Sequence, residues 1–104
     1  MSAARLAHNV FFKLKDPTPA NVEALVGACK KYLNVQPGIV FFAAGPICKE
    51  LARDVNDRNW DVGLHLVFDS KQAHDNYQDD PQHVKFVDEN KPTWAGVRVF
   101  DSYV

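Results

Sequence analysis

Nine residues, Leu6 to Leu14, alternate without interruption, and that alternation constrains the fold more than any other feature. Leu6, His8, Val10, Phe12 and Leu14 fall on one side; Ala7, Asn9, Phe11 and Lys13 fall on the other. Successive side chains of a strand point to opposite faces, so the pattern is that of a β-strand with one strongly apolar face. His8 is the odd member of that face. Asp16-Pro17 closes the strand.

Thr18-Pro19 then reads as a helix cap and a first helical residue. Val22, Leu25, Val26, Cys29 and Leu33 follow at helical spacing, with Glu23, Lys30 and Lys31 off that stripe, as in an amphipathic helix lying on a sheet. Asn34 and Pro37-Gly38 end it. Ile39 to Ala44 is a short apolar run between Pro-Gly and Gly-Pro, and its length and flanks favour a strand covered on both faces. From Gly45 to Asn59 the chain turns polar. We expect an irregular connection there, with one helical turn around Lys49 to Arg53. Asp61 to Asp69 alternates again, with Val62, Leu64, Leu66 and Phe68 facing one way and Gly63, His65 and Val67 the other. Asp69-Ser70 caps a short helix through Tyr77. Asp80-Pro81 breaks that helix and starts a second, running to about Glu89. Lys91-Pro92 stops it, and Trp94 to Val104 is the last strand.

Strand, helix, strand, strand, helix, strand is the order of the ferredoxin-like α+β fold, βαββαβ, with a four-stranded antiparallel sheet. At 104 residues the chain, 1–104, is one domain. Helices on one face of the sheet leave the other bare. That second face is not polar: Phe11, Val67 and one side of Ile39–Ala44 need a cover. A second copy related by a two-fold axis is the simplest one, giving a homodimer in which two sheets make a dimeric α/β barrel.

A formal net charge of −1, without a basic stripe, gives no nucleic-acid or anionic-membrane partner to expect. No apolar run approaches a membrane span. Met1-Ser2-Ala3-Ala4-Arg5 has no apolar core behind it, so no signal peptide is expected. Cys29 and Cys48 stand singly, which fits reduced thiols in a cytoplasmic protein. Neither a dinucleotide glycine pattern nor a phosphate loop is present, a haem or flavin oxygenase finds no motif, and no cofactor is expected.

The chemistry concentrates in Asp75 to Phe86. Tyr77 and His83 lie six positions apart across the helix break. His83 falls in the first turn of the new helix, where the dipole favours a neutral imidazole. As catalytic residues, His83 takes a proton from a carbon next to a carbonyl, and Tyr77 donates a hydrogen bond to the developing oxyanion. The bland alternative is a Tyr–His contact that ties two helical pieces together. His8, projecting from the apolar strand face, is either a third, orienting group or a core histidine bonded to backbone. Val10, Phe12, Leu64, Leu66, Val84 and Phe86, with Leu6, are expected between sheet and helices, lining a small apolar pocket suited to an aromatic or polyketide-like ligand. His65 would point between subunits, and Trp60 and Trp94 would pack at strand edges. His74, among Lys71, Gln72 and Asp75, reads as surface. His8, His83 and Asp80 could gather around a divalent ion. However, no His-x-His, no paired histidines on one helix and no carboxylate cluster is present, so no metal site is expected.

Several of these stretches resemble the stress-responsive A/B barrel (Dabb) domain family. They are Leu6-Ala7-His8-Asn9-Val10-Phe11-Phe12-Lys13, Gly38 through Gly45, Asp61-Val62-Gly63-Leu64 leading to Phe68-Asp69-Ser70, and above all Tyr77 followed by Asp80-Pro81-Gln82-His83 and Phe86. Asp80 stands where the family motif has a histidine, exchanging a titrating ring for a helix cap. The resemblance implies a homodimeric α/β barrel. Members range from proteins linked to plant stress to a plant polyketide cyclase, in which a Tyr–His pair matching Tyr77 and His83 assists an aldol closure and a histidine matching His8 lines the same cavity. The expectation is a small-molecule-binding barrel, acting as a cofactor-independent cyclase, lyase or isomerase on a polyketide-like or aromatic compound. The alternative is a non-catalytic homodimer associated with stress response.

Overall fold

A computed structural model describes residues 4–104. Met1, Ser2 and Ala3, part of the segment read above for a signal peptide, lie outside the described residues. The elements are β1 (Leu6–Leu14), α1 (Pro19–Tyr32), β2 (Ile39–Pro46), β3 (Val62–Phe68), α2 (Lys71–Asp79), α3 (Pro81–Asn90), a 3₁₀ turn (Lys91–Thr93) and β4 (Trp94–Tyr103). This is the ferredoxin-like α+β fold. The strands form one antiparallel sheet in the order β2-β3-β1-β4, so the alternating strand β1 is central and β4 is an edge.

The alternation of β1 translates directly into burial. Leu6, His8, Val10, Phe12 and Leu14 are all buried, while their neighbours on the other face are half-buried. They pack with Leu25, Val26, Cys29 and Leu33 from α1, Leu64, Leu66 and Phe68 from β3, and Tyr77 and Phe86 from the last two helices. Burying side chains of this size stabilises by about 1.5–3 kcal/mol each before the cost of ordering the chain.

The helix starts follow their caps. Thr18 Oγ1 accepts from the Asn21 amide at 3.2 Å, with Pro19 at the first helical position. Ser70 Oγ accepts from the Ala73 amide at 3.1 Å. Gly38, between α1 and β2, has φ +87°, the left-handed region that favours glycine.

No helix forms in the connection from Ile47 to Asp61, contrary to the turn expected around Lys49 to Arg53. The polar side chains there bond the local backbone instead. Asn56 Oδ1 accepts from the Arg53 amide, Arg58 donates to the Lys49 carbonyl, and the Trp60 indole donates to the Asp57 carbonyl. Short polar residues of this kind compete with helical hydrogen bonding. The connection is tied to the sheet by the Arg98–Asp57 ion pair and by Trp60, whose ring meets Phe11 edge-on at 4.8 Å.

The face of the sheet away from the helices carries Phe11, Phe41, Val67 and Phe100. Phe41 and Phe100 are each more than half exposed, at 54% and 55%. His65 lies on this face, as read from the alternation, and bonds Asn9 Oδ1 at 2.9 Å. Both cysteines are free; Cys29 is buried, which pushes its thiol up to about 12, and Cys48 is exposed. Among the described residues, no helix is long and apolar enough to cross a membrane.

Candidate functional site

Asp80 builds the site. The following proline disfavours helical backbone at Asp80, which takes ψ 135° and breaks the helix. Its amide still reaches the Tyr77 carbonyl at 3.2 Å, ending α2, while its Oδ1 accepts from the Gln82 amide at 2.8 Å, starting α3. One residue thus closes one helix and opens the next. The fold-back brings the His83 ring to within 4.6 Å of the Tyr77 ring, centre to centre and edge-on.

These two rings border a cavity of about 460 Å³ between the helices and the β1–β4 side of the sheet. His8 lies in its wall, with its ring centre 5.9 Å from that of Tyr77. The three residues named from the sequence as catalytic therefore share one space. Of the expected lining residues, Val10, Phe12, Leu64 and Phe86 are in the wall. Leu6, Leu66 and Val84 are not; Leu6 is buried in the core. Leu66, flanked across the ladder by His8 and Phe42, is sealed in the core. Val84 follows His83 by about 100° of helix turn and faces solvent.

Two polar residues of the site were not foreseen. Asp101 on β4 is the direct cross-strand partner of His8, and its carboxylate lies 2.5 Å from His8 Nδ1. His8 is thus paired to a side chain rather than to backbone. His74, read as a surface residue, is only 16% exposed; its ring meets His8 edge-on at 4.9 Å and enters the cavity wall. The missed signal was helical spacing: His74, Tyr77 and Gln78 stand at i, i+3 and i+4 and share one face of α2. Trp94 joins the wall through contact with Phe12 and Phe86, and Val97 and Val99 extend it along the edge strand. Asp80 caps its helix and is not in the cavity wall, so it does not gather with His8 and His83.

The electrostatics favour neutral rings. Burial pushes His83 below the ordinary histidine range, His8 and His74 add to this, and the Gln78 backbone and Asp80 oppose it only in part. Burial likewise pushes His8 down, against the pull of Asp101. Burial pushes the Tyr77 phenol up, so it remains protonated. The wall thus offers an unprotonated imidazole beside a phenol that can donate but does not ionise. The third ring is oriented by a carboxylate.

Solved structures similar to this chain include ferredoxin-like proteins. A dimeric ferredoxin-like protein of unknown function from Thermobifida fusca superposes with a TM-score of 0.81 at 21% identity, over 98% of this chain and 92% of that one. A Dabb family protein with a ferredoxin-like fold from Mesorhizobium loti gives 0.77 at 22% identity, over 95% of each chain. A hydroxynitrile lyase from Passiflora edulis gives 0.76 at 18% identity, over 96% and 93%. No curated protein matches significantly. Residues 6–104 match the family described as Stress responsive A/B Barrel Domain, and with that match over nearly its whole length the chain belongs to the Dabb family.

Proposed function

We propose that this chain binds a small, largely apolar carbonyl compound of aromatic or polyketide-like character and acts on it as a cofactor-independent cyclase, lyase or isomerase. The observation that carries this reading is the apolar cavity of about 460 Å³, with Tyr77, His83 and the Asp101-held His8 in one wall. Its volume lies in the range of small-molecule sites. His83, unprotonated near neutral pH, takes the proton from a carbon adjacent to a carbonyl. The electron pair moves onto the carbonyl oxygen, and Tyr77 donates its O–H to that oxygen. In an aldol closure the resulting carbon nucleophile attacks a second carbonyl, and the protonated His83 returns its proton to the new alkoxide. A general base of this kind contributes about 10²–10⁴-fold to rate. Asp101 acts as a positioning residue, fixing the orientation of His8 from behind. That the similar Passiflora protein is a hydroxynitrile lyase supports the fold's capacity for lyase chemistry.

A second copy covering Phe11, Phe41 and Phe100 completes the proposed assembly. Family membership and the dimeric description of the Thermobifida protein support this. The two free thiols fit a reducing compartment such as the cytoplasm.

A second reading, a non-catalytic dimer associated with stress response, draws on the packing of Tyr77. Its ring is buried against Phe68 at 5.0 Å, a role that needs no substrate. One experiment separates the two readings: thermal-shift screening of aromatic and polyketide-like compounds on the wild type, Tyr77→Phe and His83→Ala. Tyr77→Phe keeps the ring and removes only the donor. Hits whose binding or turnover is lost in both variants, with melting temperatures little changed, support the catalytic reading. Lower melting temperatures with unchanged binding support the structural one.

A further inference from the structure

The same cavity wall contains a second arrangement, which shares His8 and Asp101 with the acid–base reading and adds His74. His8 on β1, His74 on α2 and Asp101 on β4 each bring one donor atom to within 4.8 Å of the other two. We propose that these three residues bind a divalent first-row transition metal ion of the zinc class, with its open coordination positions facing the cavity. The proposal does not rest on the acid–base reading, because His83 and Tyr77 are not among the donors.

The donor set selects the ion. Two imidazole nitrogens and one carboxylate oxygen suit zinc and its neighbours, whereas calcium and magnesium take oxygen ligands. Bonds of about 2.1 Å place tetrahedral donors about 3.4 Å apart and opposed donors about 4.2 Å apart. The donors lie up to 4.8 Å apart, so the widest pair must close by up to about 1.4 Å to reach tetrahedral spacing, through side-chain rotation. Three protein ligands leave at least one position open, the pattern of catalytic rather than structural zinc sites.

The surroundings of His74 carry the argument further. Its Nδ1 lies 3.1 Å from Asp75 Oδ1, and the Gln78 side-chain amide nitrogen lies 3.4 Å from its Nε2. A carboxylate accepts only, so Nδ1 bears the proton and donates it to Asp75. An amide nitrogen donates only, so Nε2 presents a lone pair. The ring is thus held in the tautomer a metal requires, with a carboxylate behind it, as in the carboxylate–histidine–metal arrangement. Asp75 is itself fixed by Lys71 at 2.7 Å. By the same rule His8 Nδ1, 2.5 Å from Asp101 Oδ1, donates to that carboxylate, which leaves Nε2 as the atom of this ring with a free lone pair. Gln78 lines the cavity and occupies the lone pair that the ion would take, so it swings aside on binding.

The test uses the full chain, treated with chelator and then titrated with Zn²⁺ by calorimetry and with Co²⁺ by visible absorption. One ion per chain is expected, with the intensified Co²⁺ bands of a four- or five-coordinate site and a rise in melting temperature on adding Zn²⁺. His74→Ala and Asp101→Asn should each weaken binding at least tenfold. Asp75→Asn, an exposed change that leaves the core intact, should weaken it by about 10- to 100-fold. His83→Ala should leave it unchanged. No saturable uptake at millimolar Zn²⁺, or uptake that survives both His74→Ala and Asp75→Asn, overturns the proposal. Turnover by a protein that takes up no metal sinks this site and leaves the acid–base reading standing. Specific metal uptake without turnover does the reverse.

Discussion

Asp80 performs two tasks that substitution can separate. Its carboxylate caps α3 through the Gln82 amide, and its charge raises the pKa of His83. Asp80→Ala removes both. Loss of a cap of this type costs about 1 kcal/mol, within a range of about 0.5–2. For a domain of this size, about 1 kcal/mol lowers the melting temperature by about 4–8 °C. Asp80→Asn keeps the cap, because asparagine is as good at that position, and removes only the charge. Its melting temperature should stay within a degree or two of the wild type. In both variants the His83 ring should titrate at lower pH than in the wild type, because a neighbouring negative charge has gone and the burial that lowers its pKa remains. Thermal unfolding followed by circular dichroism measures the first effect, and NMR titration of the imidazole protons measures the second. An unchanged melting temperature in Asp80→Ala would mean that the carboxylate does not cap the helix. A His83 titration that stayed in place or moved up in Asp80→Asn would refute the electrostatic account.

Other outcomes follow from the same structure. Phe11→Asp puts a charge in the middle of the bare sheet face and should convert the proposed dimer to monomer in light scattering; a monodisperse dimer would refute the assignment of that face. Burial holds His8, His65 and His83 below the ordinary value of 6.5, so the unfolded chain binds protons that the folded chain refuses. Stability should therefore fall as pH drops from about 6.5 toward the lowered folded values, and calorimetry showing no loss between about pH 7 and about pH 5 would contradict the assigned burial. Gly38→Ala should destabilise by more than about 1 kcal/mol, because a Cβ there meets that of Ala73 at 2.5 Å on backbone of positive φ. Gly27→Ala, mid-helix with open space around it, should stabilise by about 0.5–1 kcal/mol. Denaturant melts check both glycines, and equal effects of the same sign would undo the argument.

Local pattern carried the fold because each element announces itself locally. Leu6–Leu14 alternates, Thr18-Pro19 and Asp80-Pro81 mark helix starts, and the structure extends β2 by only two residues, to Pro46. The Tyr77–His83 contact was legible for the same reason: both residues flank a break that a proline dictates. Asp101 was not, because its meeting with His8 depends on the register of two strands from opposite ends of the sequence. His74 was missed because its polar neighbours on α2 suggested a solvated face, although helical spacing places it beside Tyr77. Leu66 and Val84 show the limit of assigning a wall from apolarity alone. One is too deep in the core to reach the cavity, and the other points away from it.

The pairing of His8 with Asp101 spans 93 positions of chain and joins a central strand to an edge one. Contacts this distant in sequence carry a large loop-closure cost. The polar end of the hollow thus depends on an edge strand: fraying of β4 would take the carboxylate from the ring and leave the side chains of β1, β3 and the helices packed. Occupancy of the hollow by any molecule that needs both groups should then slow hydrogen exchange along Trp94–Tyr103 more than anywhere else in the sheet.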